Sequence, residues 1–176
     1  NDAKDLNAEV IIDGQQRLTT ALLMLMAVYH LVLEHPERSS ISAEEIRDKY
    51  LFNSASYASE ENRIRLKTVT LDDKIFNKLY MREELTAEEK QNKLHKAYHE
   101  FYDTLADRVN LDAYVNTLSK FDIVTIALNT SDDSPQRVFE SINSTGQPLS
   151  SGDKIRNFAL MLNSSEDQRY VYTNYW

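Results

Sequence analysis

The chain has 176 residues, 41 % hydrophobic and 27 % charged, an ordinary soluble globular composition with enough apolar side chains for one well-filled core. A formal net charge of −8 opposes a broad nucleic-acid-binding face, which needs a basic surface, but it leaves room for a small basic pocket. The absence of cysteine excludes a disulfide framework and any thiolate metal site and fits a reducing, cytoplasmic setting; the three glycines and three prolines point to long helices with few tight turns.

In chain order, residues 9–12 read as a short strand. Asp13-Gly14 then turns the chain into a long apolar helix over residues 15 to about 33. Leu18, Leu22, Leu25, Tyr29 and Val32 make one seam of this helix, and Ala21, Met24 and Val28 widen it. Its apolar stretch, residues 18–33, falls short of the ~20 residues that a membrane span needs, so it reads as a buried core helix with no membrane partner. No secretory signal is visible.

Pro36 ends the helix by disfavouring it at His35. Ser42 with Glu45 is a capping box that opens a helix to about Leu51. Residues 53–62 are polar and loop-like, and the strict alternation of residues 63–67 predicts a half-buried strand with Arg63, Arg65 and Lys67 on one face. That face suits either solvent or a polyanion. A short helix follows over residues 72–80.

Thr86 with Glu89 is a second capping box, opening a helix to about Asp107 whose apolar face is Leu94, Tyr98, Phe101 and Leu105. Residues 111–120 are a further helix. Residues 121–128, Phe-Asp-Ile-Val-Thr-Ile-Ala-Leu, are rich in β-branched side chains and make the best central strand. Ser134-Pro135 starts a helix to about Ile142. A loop with Gly146 and Pro148 comes next, and Ser150 with Asp153 opens another helix; residues 168–176 also read as helix. The balance is α+β, predominantly helical, with a small sheet and packed helices in a single domain over residues 1–176. Asn1 has no Met before it and the first motif arrives within fifteen residues, so a fragment of a longer protein is expected.

Two stretches carry chemistry. In the first, residues 10–20, Asp13 and Gly14 precede Gln15, Gln16, Arg17, Thr19 and Thr20 at the helix start. Backbone N–H groups and the helix dipole favour an anion at such a start, and Gly14 permits close backbone approach. Arg17 offers a guanidinium fork suited to phosphate. The alternative is a plain capped helix, with Asp13 as N-cap and Gln16 as its partner. The second stretch, residues 138–157, again places a polar, glycine-containing loop before a helix; it brings Asn143, Gly146, Asp153, Arg156 and Asn157. Two such starts facing one cavity would hold a polyphosphate. Asp13 and Asp153 would then be the carboxylates for Mg²⁺, although each also suits a purely structural role in a helix cap. Asn143 suits a loop-holding bond to the backbone as well as a ligand contact. The Gly146 loop lacks the Gly-Lys-Ser/Thr ending of a Walker A motif. His95 and His99 stand one turn apart but lack a third metal ligand, and no nucleophile elbow is present.

Ile11-Ile12-Asp13-Gly14-Gln15-Gln16-Arg17-Leu18-Thr19-Thr20 resembles the Asp-Gly-Gln-Gln-Arg signature of GmrSD-type restriction endonuclease N-terminal domains. Residues 138–157, from Val138-Phe139-Glu140 through Gly152-Asp153-Lys154-Ile155-Arg156-Asn157, are similar to that family's second block, in the family's order. The upstream Tyr-Gln-Arg-type element of the family is absent. The resemblance implies a ParB/sulfiredoxin-like fold in which a Gly-x-x-Arg turn binds nucleotide phosphates, matched here by Gly14 and Arg17. It implies a nucleoside triphosphate with Mg²⁺ as cofactor and a catalytic set of Asp13, Gln15 and Arg17. The implied nucleotide-binding set is Gly14, Gln16, Arg17, Thr19, Thr20, Asn143, Gly146, Asp153 and Arg156. Implied too are a role in restriction or phage defence, DNA contacts through other parts of the full-length protein, and coupling to a downstream nuclease domain. The rival expectations are a DNA or partner adaptor without hydrolysis and a structural helical domain.

Overall fold

A computed structural model describes residues 11, 14–53, 64–68, 70–124 and 152. The chain divides into two compact units, Asn1–Val10 with Gly14–Asp122 and Ile11–Asp13 with Ile123–Trp176. Almost every described residue belongs to the first unit.

Among its described residues, that unit is built from five α-helices: α1 Gln15–Glu34, α2 Ala43–Ile46, α3 Thr70–Met81, α4 Lys93–Ala106 and α5 Asp112–Leu118. The centre is α1. From Leu22 to Val32 it buries side chains around nearly its whole circumference, including Leu23, Met26, Ala27 and Leu31, which lie off the seam read from sequence. A helix that is apolar all round has to be enclosed. By length and composition α1 could also cross a membrane; here α2, α4 and α5 pack against it, and α3 packs on α4. One cluster joins Val28, Leu31 and Val32 of α1 to Ala43 and Ile46 of α2, Leu105 of α4 and Val115 of α5. Each such valine, leucine or isoleucine contributes roughly 1.5–3 kcal/mol by leaving water.

Local signals set several boundaries. The His35 N–H closes α1 on the Leu31 carbonyl, and Pro36 begins a separate short turn. Ser42 Oγ accepts from the Glu45 N–H at 3.1 Å, as expected. α2 then runs into a wider π turn, Arg47–Leu51. Near-parallel rings of Tyr29, Tyr80 and Phe52 stack beside it, and the Arg47 guanidinium lies 5.7 Å over Phe52. Thr86 and Glu89 form their reciprocal box, yet it opens only the short turn Glu89–Gln91. The cap of α4 is Asn92, whose Oδ1 accepts from the Leu94 N–H at 2.7 Å. Ser39 and Ser40 tie the first connection to α5 through the Asp112 carboxylate.

The expected α+β class with a small ParB/sulfiredoxin-like sheet is overturned. Helix makes up 67 % of the described residues, and no strand occurs among them. What remains of the sheet is one isolated antiparallel bridge, Phe52 to Ile64. Within residues 65–67 the alternation is real, with Leu66 buried and Arg65 and Lys67 exposed. The ladder fails because Arg65 serves a helix end instead. Its N–H bonds the Leu51 carbonyl, and its guanidinium donates to the carbonyls of Phe52 and Asp48 at 3.0 and 2.8 Å. Those are orphan acceptors of the kind every helix C-terminus leaves. Phe121, Ile123 and Val124, the start of the supposed central strand, are irregular and exposed. β propensity measures fit to a pleated, half-buried surface, and these residues have no such surface. Residues 125–128 lie outside the described set. So do residues 9, 10 and 12 of the first expected strand, whose described member, Ile11, is irregular.

Candidate functional site

The N-terminus of α1 carries the first motif. The cap position falls on Gly14, not on Asp13, with φ 83° and ψ 4°. That is the left-handed region, where a side chain is disfavoured. Among the described residues no side-chain cap bond occurs at Gly14, and the first turn contains no acidic residue. The Leu18 N–H closes the first α-helical bond on the Gly14 carbonyl at 2.9 Å.

Arg17 folds back over this turn. A Cβ built on Gly14 would stand 3.6 Å from the Arg17 Nη2 and 4.0 Å from its Nε. The guanidinium therefore lies against the bare Cα of Gly14, on the exposed side of the helix start. Gln15 and Gln16 are exposed beside it. The threonine hydroxyls are engaged locally: Thr19 Oγ1 donates to the Gln15 carbonyl and Thr20 Oγ1 to the Gln16 carbonyl, each at 2.8 Å. Their protons are committed to the helix, and their lone pairs are what they retain for a ligand.

Gly14, Gln15, Gln16, Arg17, Thr19 and Thr20 thus share one helix start. Asp13, Asn143, Gly146, Asp153, Arg156 and Asn157 lie outside the described residues; of the second block only Gly152 is described, exposed and helical.

A second polar arrangement is not apparent from sequence. His30, within the apolar stretch of α1, is fully buried. Its Nε2–H donates to the Tyr80 carbonyl at 3.1 Å, since a carbonyl can only accept; its Nδ1 accepts from the Tyr98 hydroxyl at 2.8 Å. Burial pushes the imidazole down to about 4, and the Tyr98 hydroxyl well above its ordinary value. One turn on, Glu34 accepts from Tyr102 at 2.6 Å and from Arg82. The Tyr102 bond, with Arg82, holds this carboxylate below its usual range. Arg82 itself has φ 57° just past α3, a position helices commonly give to glycine. The one signal in the sequence is a polar residue placed where helical periodicity demands burial.

His95 and His99 bring their rings to 4.3 Å between centroids. No group of three metal-ligating side chains occurs among the described residues.

A family model described as GmrSD restriction endonuclease, N-terminal domain, matches residues 1–160, a span containing both motif blocks. No curated protein and no solved structure matches the chain.

Proposed function

The chain belongs to the GmrSD restriction endonuclease N-terminal family and so forms part of a restriction or phage-defence protein; from that premise we propose that it is the nucleotide-binding sensor of such a protein, acting as a nucleoside triphosphatase. The observation that carries this reading is the start of α1: a left-handed Gly14 at the cap position, a first turn without an acidic residue, and the Arg17 guanidinium laid over the turn.

A cation at the N-terminus of a helix opposes the macrodipole. A phosphate bound there would meet the helix dipole and the arginine fork together. Gly14, Gln16 and Arg17 would bind the phosphates, with Gln15 and Asp13 beside the reacting group. Thr19 and Thr20 would contribute as acceptors. Asn143, Gly146, Asp153 and Arg156 are proposed as further nucleotide-binding residues, and Asp13 with Asp153 as the carboxylates for Mg²⁺. When bound, that ion supplies charge neutralisation between phosphate oxygens. DNA would be met by other parts of the protein and cut by a downstream nuclease domain. The setting of such defence is cytoplasmic.

The test is Arg17→Ala in the protein that carries this domain, with ATP and GTP titrated by calorimetry and hydrolysis followed by phosphate release. Removing a charge-assisted phosphate contact of about 1.5–3 kcal/mol should weaken binding ~10- to 100-fold. Helix content should be unchanged, because polar substitutions at exposed positions usually shift stability little. Binding and hydrolysis at the unsubstituted level would refute the assignment. Binding without hydrolysis in the unsubstituted protein would make the domain an adaptor.

A further inference from the structure

The five-helix unit holds α1 in two chemically different ways. Toward α2 and α5 the contact is apolar, centred on Val28, Val32, Ile46 and Val115. α3 packs on α4, with Ile75, Phe76 and Leu79 buried, and meets α1 where the Tyr80 ring stacks on Tyr29. This second contact, however, includes His30, the one buried polar side chain among the described residues. The imidazole joins three helices at once: it sits on α1, donates to the Tyr80 carbonyl on α3 and accepts from Tyr98 on α4.

We propose that the seat of α3 on α1 and α4 is an acid-sensitive joint, in which protonation of His30 loosens α3 while the packing of α1 with α2 and α5 stays closed. A second proton puts a full charge into a dry site. The groups facing that site do not offset it. Glu34, on α1, already accepts from Arg82 and Tyr102. Arg82, just past α3, is itself a cation. Tyr29, Tyr80, Tyr98 and Tyr102 complete the surroundings as neutral rings, and His99 touches Tyr98 edge-on. Two other polar ties of the unit fail only in stronger acid. Asp112 is held below its usual range by Ser39 and Ser40, and Glu89 is brought down to about 2 by Lys78.

The sign follows from linkage. The neutral imidazole is favoured in the closed state, so its contribution is complete above the ordinary value of 6.5 and is lost as the pH falls toward about 4. Within that window each pH unit should raise the opening of α3 by close to tenfold, the limit for one proton.

Native-state hydrogen exchange on the whole chain tests this, with protection at pH 7, 6 and 5 normalised to intrinsic rates. Peptides over residues 70–81 should lose protection by nearly tenfold per unit below pH 6.5, while peptides over residues 112–118 hold. His30→Gln, which keeps a donor and an acceptor without titrating, should abolish the slope; His95→Gln with His99→Gln should retain it. Equal losses in both regions, a flat profile, or a slope that survives His30→Gln would overturn the proposal. If His30→Gln does not fold, ring-nitrogen shifts of the unsubstituted protein decide. A neutral His30 down to pH 5 supports the joint, and titration near 6.5 refutes it.

Discussion

Gly14→Ala probes the candidate site most directly, because the structure separates its steric and backbone consequences. The added Cβ would meet the Arg17 Nη2 at 3.6 Å, an ordinary van der Waals distance, so no clash arises. The strain comes from the backbone: φ is 83°, and an L-residue in the left-handed region costs about 1–2 kcal/mol. Alanine also narrows the unfolded ensemble, which offsets roughly 0.4–1 kcal/mol. At the centre of both ranges the net loss is about 0.8 kcal/mol. For a chain of this size that lowers Tm by about 2–3 °C, at ~2–4 °C per kcal/mol. Gly14→Asn should lose less than Gly14→Ala, because asparagine tolerates this region. Thermal unfolding by circular dichroism measures both. ATP titration of the full protein should show weaker binding in Gly14→Ala, since the Arg17 guanidinium must now rest on a methyl group instead of bare backbone. A Gly14→Ala protein as stable as the parent would refute the left-handed turn. A loss well beyond 2 kcal/mol would refute the open contact.

Three further outcomes follow from the packing. Leu25→Ala, at a side chain 4 % exposed, should lose about 2–5 kcal/mol in urea denaturation, and a stable, fully soluble variant would show that α1 is not the core. Arg82→Gly should be about 1 kcal/mol more stable than Arg82→Ala: both remove the Glu34 pair, but only glycine relieves the positive φ; equal stabilities would contradict that backbone. Asp112 is held low by the Ser39 and Ser40 hydroxyls, so its contribution is present above 3.8 and is lost as pH falls through its depressed value. Asp112→Asn should therefore flatten the stability profile below about pH 3.8, and an unaltered acid limb would refute it.

Much of the candidate site was legible in sequence because its signals are short-range. Gly14 at a strand-like exit, polar residues after it and Arg17 on the first turn specify a helix start within a few residues. Folding moved the cap from Asp13 to Gly14 and turned the Thr19 and Thr20 hydroxyls back on the helix. The family resemblance rested on the same residues, and the match over residues 1–160 bears it out.

Within the described residues the sequence by itself determined where α1 starts and stops and where α2 begins, because helix signals act between neighbours three and four residues apart: the apolar run of α1, its stop at Pro36 and the Ser42 cap sit in the structure as read. Only the tertiary structure decided what lies between them. Arg65 alternates like a strand residue, yet the carbonyls of Asp48 and Phe52 draw it to a helix end. Phe121 has strand composition but no partner ladder among the described residues. His30 reads as one more position on an apolar helix until Tyr80 and Tyr98, 50 and 68 residues away, arrive to fix its tautomer and keep it neutral. Pairing a strand or satisfying a buried polar atom requires a partner that local pattern does not specify, and packing supplies it.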